Sequence, residues 1–384
     1  MILYILLSLF ILYILFFLYI KIKFRFWSVQ PVFHLYNLYY WLFPVGIIQK
    51  DMPPITKFYD GNILTKSFKD ISTEKKALLC WLVQSHFLNN KKTKYNPPKH
   101  AILDYFKAHN SNSFISLQLS NHFYKNNRAN IISAMTSRPL ICHIYKHKIQ
   151  VNYVDFLCVH KKHRKQGNAQ KIIYSHYRDV RRMKSNPVFL FKREGHINFI
   201  VPLTIYNAYT FSLKHLKTPT FELPNNIVCQ LINNGNFPLF LHFFGEIKKE
   251  FNCFITPCIS HIKHLISKKL LFICLIIENN KPVGVYIYRK PYTSYKGKES
   301  IECIASYYKL GYYDIYKKSF RNSIVLINKI YPIDIAIIEN ISNNTDIVKY
   351  LIKKTPVLWK CPMAYFLYNF AHRPFLSSNV FLIN

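Results

Sequence analysis

Val154–Arg164 reads VDFLCVHKKHR and is the segment most informative about the fold. It begins mainly apolar and ends strongly basic. Together with the residues just before it, the apolar part predicts a β-strand over Gln150–Val159. Ala169–Arg182 then predicts a helix, whose apolar side is formed by Ile172, Ile173, Tyr177 and Val180.

The turn between this strand and this helix, His160–Asn168, is basic and contains a glycine. Such a turn before a helix can hold a phosphate, because the first N–H groups of the helix are free and its dipole favours an anion. With the next residue the turn reads Arg164-Lys165-Gln166-Gly167-Asn168-Ala169, which resembles the R-x-x-G-x-A pattern of the GNAT acyl-CoA N-acyltransferases. The alternative is a solvated basic loop.

Strands and helices alternate outward from this unit. Asn130–Met135 and Leu140–Tyr145 predict a hairpin that turns through Ser137-Arg138-Pro139. Leu270–Ile277 and Val283–Arg289 predict a second hairpin, and further strands and helices follow it. The repeated alternation predicts two mixed α/β halves joined near residue 225.

The composition narrows the class of function. A chain of 384 residues suits two domains, and neither of the Gly-rich nucleotide-loop patterns, GxGxxG and GxxxxGK[ST], occurs in it. The net charge of +34 would suit nucleic acid, but the lysines are spread along the chain. Lys, Asn, Ile, Tyr and Phe are also abundant together, which is typical of AT-rich genomes. We therefore predict no nucleic-acid partner, and a basic surface that favours CoA or an anionic membrane.

The nine cysteines are scattered without a disulfide framework, which indicates free thiols in a reducing compartment. Cys253, Cys258, His261 and His264 could in principle bind zinc. Their spacing fits no common zinc finger, and the residues between them are apolar. We predict core cysteines and surface histidines there, and no metal site.

Residues 2–20 form an uncharged apolar run, long enough to span a bilayer as a helix. The run lacks the basic start, short apolar stretch and small-residue cleavage site of a signal peptide. It also has no polar face, which disfavours a buried core helix. Lys21, Lys23 and Arg25 follow at once, so the positive-inside rule predicts a single-pass membrane protein whose remainder faces the cytosol.

Several segments resemble the N-myristoyltransferase family. Val154–Arg164 is similar to the signature around that family's acyl-CoA site, Ile131–Tyr145 to the strand pair before it, and Phe26–Val32 to the family's N-terminal arm. The resemblance covers nearly everything after residue 23. Further segments in the family's order are Ile273–Tyr288, Ser306–Tyr308, Ile335–Asn340, Tyr365–Phe370 and Val380–Asn384.

The resemblance implies an α/β (α+β) fold of tandem GNAT-like halves with a mixed, splayed sheet. It implies an enzyme that moves a myristoyl group from myristoyl-CoA to the N-terminal glycine amine of peptides or proteins, acting as a monomer without a metal. The predicted domains are a transmembrane anchor (1–20), an extended arm (21–63), an acyl-CoA-binding half (64–225) and a peptide-binding half (226–384).

The resemblance also implies roles for individual residues. The backbone amides of Phe156 and Leu157 would form an oxyanion hole at a β-bulge, and the α-carboxylate of Asn384 would be the base that deprotonates the acceptor amine. The residues predicted to contact acyl-CoA are Phe26, Trp27, Gln30, Cys158, Val159, His160, Lys161, Lys162, Arg164, Lys165, Gln166, Gly167, Asn168 and Ala169. Ordinary packing is the alternative for the aromatic residues of the arm.

The sequence departs from the family on the side that would bind peptide. Arg193-Glu194 replaces a threonine-containing turn before Gly195, and Ile205–Phe211 lacks the family's basic run. Trp359-Lys360-Cys361 replaces an acidic turn that reads a basic peptide residue. Two alternatives therefore stay open: an acyltransferase of this fold with another amine acceptor, and a catalytically silent acyl-CoA-binding membrane protein.

Overall fold

A computed structural model describes residues 1–88, 93–120, 130–195, 199–214, 216 and 223–384. Helices and strands alternate along the first part of the chain. Their bounds are α1 (Ile2–Lys23), α2 (Leu38–Leu42), β1 (Gly46–Ile47), β2 (Leu64–Ser67), α3 (Thr73–His86), β3 (Thr93–Tyr95), α4 (Lys99–Asp104), β4 (Phe114–Leu119), β5 (Ile131–Ile144), β6 (His147–Val159), α5 (Asn168–Arg182), β7 (Phe189–Glu194) and β8 (Thr204–Ser212).

The second part continues the alternation and ends in a short strand. The bounds are β9 (Ile227–Leu231), α6 (Phe237–Glu250), β10 (Cys253–Thr256), α7 (Ile259–Ser267), β11 (Leu271–Glu278), β12 (Lys281–Arg289), β13 (Thr293–Tyr295), β14 (Ser300–Tyr308), α8 (Tyr313–Ile330), β15 (Ile335–Glu339), α9 (Asn344–Ile352), β16 (Val357–Tyr368), β17 (Phe370–Ala371) and β18 (Val380–Leu382).

One large mixed sheet joins both parts of the chain. Its order is β18-β10-β5-β6-β7-β16-β8-β15-β14-β12-β11-β9, with β4 also paired to β5, and β2 paired to β4. β16 comes late in the sequence but lies between β7 and β8. β10 and β18 likewise join the edge formed by β5. The two predicted halves therefore exchange strands across a common sheet.

Each half contains a strand–helix–strand unit with a short parallel pairing. β6 and β7, connected through α5, pair only at Asn152–Phe189 and Tyr153–Leu190. β14 and β15, connected through α8, pair in parallel over their first four residues. Beyond this pairing β6 and β7 diverge, whereas β15 ends one residue after its last pair with β14. The two units share the order strand, helix, parallel strand. This arrangement confirms the predicted tandem halves and splayed sheet.

The predicted hairpin over Asn130–Tyr145 is wrong, because β5 runs as one continuous strand. Pro139 lies where β5 changes its partner on one side: β4 pairs as far as Ser137, and β10 pairs from Ile141 onward. Proline removes a backbone donor, so it is tolerated in a sheet where a ladder bond is missing. The sequence Ser-Arg-Pro therefore marks a change of partner and not a turn.

The helix α1 follows from its composition, since it is apolar on every side. Within the described part of the chain it is the helix long and apolar enough to cross a membrane. Its most apolar stretch is not buried against the rest of the protein. Only its end enters the core, where Ile20 packs among buried residues that include Val32 and Phe199.

The cysteine–histidine segment is only partly as predicted. Cys253 and Cys258 are buried, as expected of core cysteines. His261 is also buried, so its prediction as a surface residue is wrong. Its ring stacks on His109 with centroids 3.8 Å apart, and its Nδ1 lies 2.7 Å from the backbone oxygen of Lys107. Burial holds the pKa of His261 well below its usual value, so the ring is neutral.

Candidate active site

The strand β6 carries a bulge at the predicted oxyanion hole. Met135 of β5 faces Leu157, whereas Ser137 faces Val154, so β6 has one more residue than β5 between these pairs. In the bulge the backbone N–H of Phe156 donates to the hydroxyl of Thr136, with an N–O distance of 3.1 Å. The Phe156 N–H therefore has a side-chain oxygen as its acceptor and not a backbone oxygen of β5.

The backbone N–H of Leu157 points in the other direction. His160 donates its N–H to the backbone oxygen of Ile132 at 2.9 Å, which fixes the alternation of the β5–β6 ladder. Hydrogen-bonded and non-hydrogen-bonded positions alternate along an antiparallel ladder. Leu157 of β6 lies three residues before His160, so it occupies a non-hydrogen-bonded position and its N–H faces away from β5. β7 has already diverged on that side, since its pairing with β6 ends at Tyr153. Of the two predicted amides, the Leu157 amide thus faces the gap in the sheet.

The basic turn after β6 leads into the start of α5. A short 3-10 helix over Lys161–His163 is followed by Gly167, whose φ of +78° suits glycine. Gly167 is the N-cap of α5 and provides no capping side chain. The free N–H groups of the first turn of α5 and the helix dipole are therefore directed toward an exposed, basic surface.

The predicted phosphate-binding residues lie together on this turn. The side chain of Arg164 is held in place: its Nε donates to the Val159 oxygen at 3.1 Å and its Nη2 to the His86 oxygen at 2.8 Å. Asn168 donates to the His163 oxygen at 2.9 Å. The remaining predicted residues are exposed (Lys161, Lys162, Lys165, Gln166, Gly167) or half-buried (His160, Ala169).

Cys158 differs from these residues because its side chain faces the core. Its Sγ lies 3.7 Å from the Leu82 oxygen. Burial raises the pKa of the Cys158 thiol to about 12, so the thiol is protonated and is not a nucleophile at neutral pH. Any contact of Cys158 with an acyl-CoA would therefore be made by its backbone.

The arm residues Phe26, Trp27 and Gln30 pack against the body of the protein. The ring of Trp27 stacks on Phe191 of β7 with centroids 5.9 Å apart. Gln30 is buried and accepts a hydrogen bond of 2.6 Å from the hydroxyl of Tyr368. Phe26 is buried beside Trp27, and its ring contacts Phe58. The arm thus lies against β7, and β7 is the strand that diverges from β6.

A cavity of about 1270 Å³ opens between the two halves. β6 contributes Tyr153 to Phe156 to its wall, and β12 and β14 contribute Arg289 and Glu302. Lys290, Lys296 and Lys298 also line it. Lys296 and Lys298 are exposed, which puts them at the mouth of the cavity.

Four charged side chains form a cluster beside this cavity, in which Glu302 and Glu339 are buried and Lys192 and Arg289 are half-buried. Lys192 contacts the carboxylates of Glu302, at 3.4 Å, and of Glu339. Arg289 binds Glu302 through Nε and Nη2, at 3.1 and 2.5 Å. Both nitrogens bind the same oxygen, Oε2, and join β12 to β14. Lys192 of β7 contacts β14 through Glu302 and β15 through Glu339. The sheet therefore brings together charges that are far apart in the sequence.

The two carboxylates of the cluster differ in their protonation. Burial, and then the neighbouring charge of Glu302, raise the pKa of Glu339 to about 7 even though Lys192 opposes the shift. Burial alone would raise the pKa of Glu302 too, but Arg289 and Lys192 hold it well below the usual value. Glu302 is therefore ionised, and the pair takes up one proton near neutral pH.

Asn384 lies in the protein interior next to the cluster. β18 enters the sheet parallel to β10, and the Ile383 N–H donates to the Ile255 oxygen at 2.8 Å. The Asn384 side chain donates to the hydroxyls of Tyr153 and Tyr365, at 2.6 and 3.1 Å. Arg289 donates through Nη1 to Asn384 Oδ1 at 3.0 Å and approaches its backbone oxygen at 3.4 Å. Tyr153 and Arg289 also line the cavity.

The charged cluster was missed by the sequence reasoning, although the sequence contains a signal. Each of the four residues lies within or directly after an apolar run of its strand: Lys192 after FLF, Arg289 after VYIY, Glu302 between Ile301 and Cys303, and Glu339 after IAII. A charge in such a strand is expected to be buried and paired. The sequence gives no indication that these four residues meet.

The departures from the family pattern lie near the cavity mouth. Glu194 lines the cavity and accepts a contact of 3.2 Å from Cys361 Sγ. Trp359 lines it as well, and its ring packs against Tyr295 with centroids 4.5 Å apart. Lys360 is exposed, with its ammonium 5.3 Å from the ring centroid of Tyr209.

Similarity to proteins of known structure appears in the fold and not in the sequence. No protein-family profile and no curated protein matches the chain. A structure of Saccharomyces cerevisiae N-myristoyltransferase with bound myristoyl-CoA is 12% identical, has a TM-score of 0.68 and covers 93% of this chain and 91% of its own. Another, with bound myristoyl-CoA and inhibitors, is 12% identical, has a TM-score of 0.67 and covers 93% of both chains.

A third structure of the yeast enzyme with myristoyl-CoA is 11% identical, has a TM-score of 0.65 and covers 94% of this chain and 99% of its own. The likeness thus extends over nearly the whole chain. It shows that this protein has the fold of the yeast N-myristoyltransferase. The fold predicted from the resemblance is confirmed.

Proposed function

We propose that this protein is an acyltransferase that moves a myristoyl group from myristoyl-CoA to an N-terminal glycine amine, at the cytosolic face of a membrane. One observation carries the proposal above the others. In a fold shared with a myristoyl-CoA-binding enzyme, the diverging strands β6 and β7 adjoin a cavity whose wall residues contact Asn384. An acyltransferase needs a site for the acyl donor, a site for the acceptor and a base. In this proposal the gap between the strands, the cavity and Asn384 take these three roles.

In this proposal the thioester lies in the gap beside β6. The Leu157 N–H, which faces away from β5, polarises the thioester carbonyl and stabilises the oxyanion that forms on amine attack. The Phe156 N–H would add a second donor only after leaving the Thr136 hydroxyl. The amine nitrogen bonds to the carbonyl carbon, and the intermediate collapses by breaking the carbon–sulfur bond and releasing CoA.

The basic turn provides the site proposed for the CoA phosphates. The start of α5 offers free N–H groups, and Lys161, Lys162 and Lys165 add positive charge around it. Arg164 is fixed by two backbone carbonyls, so its role there is to hold the shape of the turn as well as its charge.

The α-carboxylate of Asn384 is the proposed acceptor of the amine proton. Its burial suits a base that acts away from bulk water, because few hydrogen bonds to water compete with the substrate. Arg289 contacts the same residue and would lower the basicity of this carboxylate. Glu302 lines the cavity beside Glu339, whose carboxyl takes up a proton near neutral pH, and this makes the pair the second candidate for the base.

Transfer to a different amine acceptor is the alternative function, and for either function the charges at the cavity mouth bear on which acceptor is preferred. Lys290, Lys296 and Lys298 line the cavity, and none of them forms an ion pair with a carboxylate among the described residues. A cationic mouth attracts an acidic acceptor and repels a basic one. We therefore expect the glycine acceptor to carry acidic residues after its first positions.

Localisation is part of the proposal. α1 would anchor the protein, and Lys21, Lys23 and Arg25 would remain on the cytosolic side. The enzyme would then act where acyl-CoA and newly exposed N-termini are both available.

The test uses the full chain in nanodiscs with labelled myristoyl-CoA and Gly-initiated peptides, half of them acidic and half basic after the glycine. Transfer to the free glycine amine, detected by the mass of the product, is the expected result. The same peptides with an acetylated glycine are the control and should receive no acyl group. Palmitoyl-CoA in place of myristoyl-CoA measures the preference for chain length.

The possible results separate the hypotheses. Transfer to lysine side chains or to a non-peptide amine, with none to glycine, would support the alternative acceptor. Tight binding of myristoyl-CoA without transfer to any amine would leave a silent acyl-CoA-binding protein and overturn the enzymatic proposal.

A further inference from the structure

The arm that precedes the first half exposes a continuous group of large apolar side chains. In and directly after α2, Leu38, Tyr39, Leu42 and Phe43 are 62%, 59%, 66% and 61% exposed. Leu35 and Val45, on either side of them, are exposed as well. We call these six residues the α2 patch. Large contiguous apolar patches are rare on soluble proteins and mark contacts with proteins or membranes.

The α2 patch is held rigidly from behind. Trp41 packs on Phe33 with ring centroids 5.0 Å apart and donates its Nε1–H to the Leu35 oxygen at 3.0 Å. Arg373, from the far end of the chain, donates to the backbone oxygens of Trp41 and Leu42 at 2.8 and 3.0 Å. The inner side of the segment is therefore fixed to the body, and the apolar side chains are fixed outward.

The same segment contacts α1. The hydroxyl of Tyr13 donates to the backbone oxygen of Tyr36 at 3.0 Å, and the ring of Phe17 meets the Tyr36 ring edge-on at 4.9 Å. Tyr36 stands two residues before α2. Tyr13 lies seven residues before Ile20 on α1, which corresponds to about 10 Å at the rise of an α-helix. The segment that contains Tyr36 and α2 therefore lies beside the last 10 Å of the apolar run.

We infer that the α2 patch inserts into the cytosolic leaflet of the membrane that α1 spans. This inference rests on the proposed anchoring role of α1. If residues 2–20 lie in the bilayer, a segment that touches Tyr13 and Phe17 lies at the level of the cytosolic acyl chains. That depth agrees with the roughly 5–10 Å to which interfacial apolar faces are buried. Exposed Lys21, Lys23 and Arg25 lie next to it and suit anionic headgroups.

Insertion would fix the orientation of the whole body against the membrane. The patch and the end of α1 are two attachments, and both are bound to the core through Arg373 and Ile20. The protein would therefore not swing freely on its anchor.

The experiment uses the full chain in nanodiscs of phosphatidylcholine and phosphatidylserine, with a photoreactive benzophenone side chain replacing one residue at a time. Leu42 tests the patch, and Phe10 tests α1. Leu310, 99% exposed in the second half of the chain, is the matched control for an exposed leucine far from α1 in sequence. We expect lipid adducts at positions 10 and 42, several-fold above those at position 310.

Each outcome decides the inference. Adducts at position 10 with only background at position 42 would overturn it and leave the anchor intact. Adducts at 42 without adducts at 10 would refute the anchor and, with it, insertion beside a spanning α1, whereas background at both positions refutes both the anchor and the insertion. A crosslink from position 42 to a second copy of the chain, in place of lipid, would also overturn it.

A second variant tests whether lipid adducts in the patch depend on its apolar character. Leu42→Asp changes an exposed side chain and should leave folding intact. With the photoreactive group at Tyr39, this substitution should lower the yield of lipid adducts several-fold, because a charge opposes insertion. An unchanged yield would contradict membrane insertion of the patch.

Discussion

The substitution Glu339→Gln tests the charged cluster through the pH dependence of stability. Glu339 is 1% exposed, and its pKa is raised to about 7 from an ordinary value of 4.5. Between these two pH values the folded protein binds more protons than the unfolded chain, so the free energy of unfolding falls as the pH rises. The shift corresponds to about 3 kcal/mol, which is lost between about pH 4.5 and 7.

Glutamine keeps the shape of the side chain but cannot ionise. We therefore expect the variant and the unaltered protein to be similarly stable near pH 5, where Glu339 is protonated. The variant should be more stable by up to about 3 kcal/mol near pH 8. The measurement is urea unfolding of the full chain in a mild detergent, followed by tryptophan fluorescence at several pH values.

Glu302→Gln is the matched control, because it neutralises the other carboxylate of the same cluster. The pKa of Glu302 is held low by Arg289 and Lys192, so its contribution is present at neutral pH and is lost on acidification. Its removal leaves Arg289 short of a partner and should destabilise the protein at neutral pH, by about 3–5 kcal/mol for a broken buried pair. Parallel pH curves for the unaltered protein and Glu339→Gln would refute the assigned protonation.

Three further predictions concern the proposed reaction. Deleting Asn384 should lower kcat by about 10²- to 10⁴-fold, as for a lost general base, without weakening acyl-CoA binding; full kcat in the deletion variant would contradict the role of its carboxylate. Lys162→Glu should weaken acyl-CoA binding by about 3- to 10-fold, less at high salt, whereas Lys184→Glu, at the opposite end of α5, should not. Equal losses would mean that the effect is not local. Combining Lys296→Glu with Lys298→Glu should reverse the preference between acidic and basic Gly-peptides, measured as a ratio of kcat/KM values, and an unchanged ratio would refute the role of the cavity mouth.

The part of the site that could be predicted is the part encoded locally. The strand over Gln150–Val159 and the helix after it are determined by their own residues, and the observed β6 and α5 agree with them. Gly167 needs its left-handed backbone for the same local reason. The errors arose where distant segments decide. β5 continues through Pro139 because β4 and β10 meet there, and His261 is buried because His109 lies against it.

The charged cluster has a consequence for the type of acceptor. Lys192 and Arg289 balance Glu302 and Glu339 when both carboxylates are ionised, and the proposed carboxylate of Asn384 adds a further negative charge. Below about pH 7 a proton on Glu339 restores the balance. Above it, the three carboxylates face only two cations, and an incoming ammonium group would supply the third. An ammonium acceptor would thus enter a site short of one positive charge, and the proposed carboxylate of Asn384 would take one of its protons so that the neutral amine can attack. A neutral alcohol or a thiol could not restore the balance in this way, so the electrostatics of the cluster favour transfer to an amine.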